Sequence, residues 1–211
     1  MKNNQIITTL AVAAGLLACA SNARANAKLW IFEGATLEAS QFYAGSSGTE
    51  TLGASGTGWS VSATIDWSST GTPFLDLSSI DATVASKPLT IIASDNWNPT
   101  PGGQVLVQAS GHKVKGNLTG TDTSYYSNDN KLGDTDTWLA TLSVLGDNSV
   151  DATINAPYCP YSLTEVVTLN SGAGTDSLDD SLTVPDGGMT LTMLGAGFSA
   201  LAGIRRFGKK A

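Results

Sequence analysis

A chain of 211 residues, 41% hydrophobic and 14% charged with 23 glycines, has the length of one domain plus short terminal segments. Its net charge is −7, but from Asn26 to Asp186 five basic residues stand against all eighteen acidic ones, a local net of −13. Such a surface repels polyanions and argues against nucleic acid and anionic lipid as partners, leaving divalent cations, cationic partners and neutral polysaccharide.

The N-terminus reads as a secretory signal peptide over residues 1–25. Lys2 supplies the positive start, Ile6 to Ala20 an apolar helix too short for a comfortable membrane span, and Ala23-Arg24-Ala25 an A-x-A cleavage site before Asn26. Leu16-Leu17-Ala18-Cys19 resembles a bacterial lipobox, in which Cys19 would become the acylated first residue; the A-x-A site is the better placed, after the complete apolar run. Removal of the leader leaves Cys159 as a lone cysteine, so no internal disulfide forms. Cys159 has no basic neighbour to stabilise a thiolate and reads as a small buried apolar residue.

The body, residues 26–169, alternates with period two. Trp59 to Trp67 keeps apolar and polar residues in turn for nine positions, which on a strand sends Trp59, Val61, Ala63, Ile65 and Trp67 to one face. Similar runs cover residues 29–32, 89–93, 104–108, 138–144, 149–154 and 162–169. Turn-forming stretches separate them at 45–48, 53–58, 98–103, 127–130 and 146–148. The pattern predicts an all-β antiparallel sandwich, jelly-roll or Ig-like Greek key, flanked by an N-terminal signal helix and a C-terminal transmembrane helix.

Catalytic signatures are absent from this body. His112 is the only histidine, which removes Ser-His-Asp triads and histidine metal clusters, and Gly111-His112-Lys113 reads as an exposed turn or strand. The sequon Asn117-Leu118-Thr119 reads as incidental. A membrane-anchored hydrolase would need two acids placed together, and eighteen acids do not identify a pair. Residues 128–136 (NDNKLGDTD) have the oxygen-rich look of a Ca²⁺ loop, with Asp129, Asp134 and Asp136 as candidate ligands, although Lys131 intrudes and the spacing is not that of an EF-hand. The plain alternative is an Asx-rich turn. Of the five tryptophans, Trp59 and Trp67 share the core parity, whereas Trp97 lies in a polar stretch read as a loop and is the candidate for stacking on a sugar ring.

Residues 170–183, rich in Gly, Ser and Asp, read as a flexible acidic linker. The last segment, 184–211, opens with Val184-Pro185-Asp186-Gly187-Gly188 and continues as sixteen mostly apolar residues, 189–204. Arg205, Arg206, Lys209 and Lys210 close it as a basic stop. Sixteen residues make about 24 Å of helix against a hydrocarbon core of about 30 Å, a poor permanent anchor.

This tripartite tail resembles the PEP-CTERM family of sorting signals, most closely its VPDSG-type variant. The commonest form carries Glu and then Pro after Val-Pro; here Asp186-Gly187-Gly188 follow Pro185. The resemblance implies recognition of Val184, Pro185 and Asp186 by an exosortase-type processing enzyme, with an inner-membrane intermediate and release to the cell surface or matrix, in association with exopolysaccharide. The expectation is an exported, non-enzymatic protein without a cofactor other than Ca²⁺; a carbohydrate-binding module is the alternative.

Overall fold

The computed structural model describes residues 26–68, 74–84, 87–98, 103–116, 119–143, 148–156, 161–170 and 174–183, with backbone alone at 97–98, 103–116, 148, 153–156, 174–177 and 179–180. The signal segment through Ala25, Cys159, Asn117, and the tail with its motif Val184 to Gly188 and its basic stop lie outside the described residues.

All described regular structure is β. One antiparallel sheet has six strands in the order β2 (Thr36–Ala44), β1 (Asn26–Glu33), β6 (Leu89–Asn98), β11 (Tyr161–Leu169), β8 (Gly120–Ser127) and β9 (Thr137–Ser143). The second sheet runs β10 (Asn148–Ala156), β7 (Gly103–Gly116), β12 (Gly174–Thr183), β5 (Phe74–Val84), β4 (Trp59–Ser68) and β3 (Ser47–Gly56). The two sheets enclose one core between them, an antiparallel β-sandwich. No helix among the described residues is long and apolar enough to cross a membrane.

Alternation builds this core as the residues require. In β4 the whole set Trp59, Val61, Ala63, Ile65 and Trp67 is buried, while Ser60 and Ser62 are exposed. From the facing sheet come Leu29 and Ile31 of β1, Leu89 and Ile91 of β6, and Leu163, Val167 and Leu169 of β11. Each such side chain contributes roughly 1.5–3 kcal/mol on leaving water, largely offset by the entropy of ordering the chain. Close approach also dictates glycine at Gly120, where a Cβ would overlap the Thr168 carbonyl of β11.

Two expectations need correction. The expected linker 170–183 is mostly β12, an interior strand paired with β5 on one side and β7 on the other, so the folded body extends to Thr183. Only Leu178 and Leu182 identify its inner face, and both are buried; with Gly, Ser, Thr and Asp elsewhere, the strand looks like loop by composition. The expected turn 53–58 contracts to Thr57-Gly58 between β3 and β4, Gly58 having a φ of 79°, which a side chain resists.

Candidate functional site: the outer face of the first sheet

The solvent side of the first sheet is partly roofed by the segment 128–136 that joins β8 to β9. Four hydrogen bonds lay it across the sheet. The Asn96 side-chain amide donates to the Asn130 carbonyl at 3.2 Å. The Gly133 N–H donates to Ser94 Oγ at 2.9 Å, and the Ser127 hydroxyl reaches Asp129 at 2.8 Å and Asp136 at 3.1 Å. Ser94, Thr164 and Ser127 belong to the outward parity of their strands yet are buried, because this segment covers them. Two left-handed residues allow its path: Asn130, with a φ of 57°, and Gly133, with a φ of 74°. Gly133 seats on Trp30, whose ring lies 3.0 Å from the position of a would-be Cβ, and Lys28 Nζ sits 4.6 Å from the same ring's centroid.

Within this roof the three predicted aspartates come together. Carboxylate oxygens of Asp129, Asp134 and Asp136 all lie within 4.8 Å of one another. Lys131 Nζ donates to Asp134 at 3.2 Å, so the intruding lysine serves as local counter-ion. Its pKa is raised, first by that hydrogen bond and then by the surrounding carboxylates. For Asp134, desolvation pushes the pKa up, but hydrogen bonds involving Lys131, Asp136 and the Thr135 N–H outweigh it and hold the carboxyl below its ordinary range. That is the reverse of the elevated pKa a general acid requires.

Beyond the roof, on the β8–β9 pair, lies an exposed aromatic group. Trp138 of β9 is 61% exposed and pairs in register with half-buried Tyr125 of β8. Its Nε1–H donates to Thr141 Oγ1 at 3.0 Å, fixing the ring on the sheet. Thr141 in turn lies 3.3 Å, oxygen to oxygen, from Thr123 across the strand pair. Aromatic surface beside a row of hydroxyls is the composition that holds a sugar, whose C–H face stacks on a ring while its hydroxyls exchange hydrogen bonds.

The other candidates fall elsewhere. The Trp97 backbone belongs to β6 and not to a loop, and its side chain is outside the described atoms. The His112 backbone pairs with Asp179 between β7 and β12. Trp59 and Trp67 are core, as their parity predicts, and Trp30 supports the 128–136 segment. Trp138 escapes a strict alternation count, which groups it with Ala140 and Leu142. Both of those are buried, but the register of β9 slips between Ala140 and Trp138, and this irregularity turns Trp138 outward.

No protein-family model and no curated protein matches the chain. Among solved structures, it is similar to the enzymatically active domain of tailspike protein 4 of bacteriophage CBA120, at 10% identity and a TM-score of 0.33, covering 61% of this chain and 20% of that one. It is also similar to the C-terminal family 22 carbohydrate-binding module of Clostridium thermocellum Xyn10B, at 13% identity and a TM-score of 0.31, covering 64% and 90%. A third is TmCBM61 in complex with beta-1,4-galactotriose, at 12% identity and a TM-score of 0.29, covering 64% and 86%. The chain spans only 20%, 26% and 24% of the first three matched structures. At these scores the likenesses carry no argument about what the chain does.

Proposed function

We propose that this is an exported, non-enzymatic surface or matrix protein whose jelly-roll-type body holds neutral polysaccharide on the outer face of its first sheet. The observation that carries this reading is Trp138, a large ring kept exposed and held in place by Thr141. The net charge of −13 over residues 26–186 favours an uncharged glycan over an anionic one. Affinity electrophoresis tests it: the protein is retarded in gels containing a neutral polysaccharide and runs unretarded with a polyanionic one. Unretarded migration across a broad neutral panel would sink the reading.

Delivery through the terminal segments is the second part of the proposal. The described body runs from Asn26 to Thr183, between the two segments. Asn26, expected to be the mature N-terminus, is the first residue of β1, and its backbone N–H donates to Asn96 Oδ1 at 3.0 Å. β12 ends at Thr183, directly before Val184-Pro185-Asp186-Gly187-Gly188. Pro185 has no N–H to donate to a ladder, so the sequence of the motif is a poor continuation of a strand, which suits recognition by an exosortase-type enzyme. The intact mass of the protein recovered from the envelope or medium tests this. A species running from Asn26 to Pro185 or Asp186 supports it, and one retaining Lys210 and Ala211 favours a simple anchor.

A further inference from the structure

We propose that the segment between β8 and β9 binds a calcium ion through Asp129, Asp134 and Asp136, with the Ser162 hydroxyl as a further oxygen donor at its base. The donor set contains only oxygen, which suits a hard cation, and a loop closed by Asx turns suits the variable geometry of Ca²⁺ better than the strict octahedron of Mg²⁺.

Ser162 is the observation independent of the acidic cluster. It pairs with Asn96 of β6 on one side and Ser127 of β8 on the other. Paired residues of adjacent strands share a face, and both of these neighbours hold the roof, Asn96 through Asn130 and Ser127 through Asp129 and Asp136. Ser162 is therefore an outward-facing residue beneath the roof, beside the hydroxyl that carries two of the carboxylates. It is 0% exposed, and its hydroxyl has no hydrogen-bond partner. A buried hydroxyl without a partner is unfavourable, and a cation held by the aspartates above it gives that oxygen a role.

Three carboxylates gathered within 4.8 Å repel one another, and a single ammonium, Lys131, compensates them. That lysine side chain is 71% exposed on a flexible stem, so it can swing into solvent when a divalent ion takes its place. Calcium would then rigidify the roof from Ser127 to Asp136.

The test uses the intact 211-residue chain in mild detergent. Calcium chloride is expected to raise the thermal midpoint, with magnesium chloride at equal concentration having a smaller effect. Terbium luminescence sensitised by Trp138, two residues from Asp136, should appear and be competed away by calcium. Asp129→Asn and Asp136→Asn should weaken calcium at least tenfold. Ser162→Ala, which removes an unpartnered hydroxyl and leaves the calcium-free fold at least as stable, should weaken it several-fold, and Lys131→Met should tighten it. No midpoint shift and no luminescence in the parent protein would overturn the proposal, as would an equal calcium response in all four variants. Failure here leaves glycan retardation without added calcium unchanged, so the two proposals fail separately.

Discussion

The Trp138 indole donates to the hydroxyl of Thr141, three residues along β9, at 3.0 Å. A ring that is 61% exposed would otherwise sample several rotamers and lose that freedom on binding. Thr141→Val removes the acceptor while keeping shape and strand propensity. Polysaccharide affinity is expected to fall about fivefold, the equivalent of ~1 kcal/mol for one hydrogen bond, with the thermal midpoint nearly unchanged. Titration calorimetry on the two proteins checks it; equal affinities would mean that the ring needs no tether.

β12 belongs to the fold, which makes the end of the folded body testable by truncation. A chain stopped at Asn170 lacks the strand between β5 and β7, exposes an edge on each, and is expected to be insoluble or unfolded. A chain stopped at Thr183 should unfold cooperatively, and in it Leu182→Ala should cost about 2–4 kcal/mol by urea denaturation. Cooperative folding of the shorter chain would show that residues 171–183 are dispensable.

Gly48 of β3 lies directly against Trp67, where an added Cβ would come within 2.6 Å of the ring. That ring is held from two other directions, stacked on Tyr43 at 5.5 Å and donating its Nε1–H to the Gly45 carbonyl at 3.1 Å. It has no free direction in which to yield, so Gly48→Ala is expected to cost roughly 1–3 kcal/mol. A variant with the midpoint of the parent would mean that this corner repacks freely.

Alkaline pH should expose the buried tyrosines. Desolvation, then the charge of Asp95 and the neighbouring Tyr126, raises the Tyr161 pKa well above its ordinary 10, and burial pushes Tyr126 up to about 12. A folded-state pKa above the unfolded one means that stability is fully present below pH 10 and is lost as pH rises through the folded values. Unfolding is therefore expected to begin above pH 10. Tyr161→Phe, which removes a buried hydroxyl without a hydrogen-bond partner, should leave neutral-pH stability equal or higher and move the alkaline limit upward. An unchanged alkaline limit would contradict the assignment.

Much of this was legible wherever one face of a strand is strongly apolar. The run Trp59 to Trp67 announced β4 and its buried face, and the runs at 89–93 and 162–169 announced the central strands β6 and β11. Composition concealed β12 and much of β3, whose Gly, Ser, Thr and Asp content also makes turns; long-range pairing decides between the two, and one sequence does not display it. The Asx-rich stretch yielded Asp129, Asp134 and Asp136 because the three lie close in the chain and its turns bring them together. Trp138 stayed hidden because a single irregularity in register reverses the face a residue occupies. The roof over Ser94, Ser162 and Thr164 depends on a segment folding back onto distant strands, which period-two alternation does not encode.

The central claim is that the outer face beside Trp138 holds neutral polysaccharide, and titration calorimetry with a retarding polysaccharide tests it most directly on three proteins: the parent, Trp138→Ala and Trp97→Ala. The prediction is that Trp138→Ala abolishes the binding heat at an unchanged thermal midpoint, because its ring packs mostly against solvent, while Trp97→Ala retains the parent affinity. Undiminished binding by Trp138→Ala would contradict the account, and loss in Trp97→Ala alone would move the site to the end of β6.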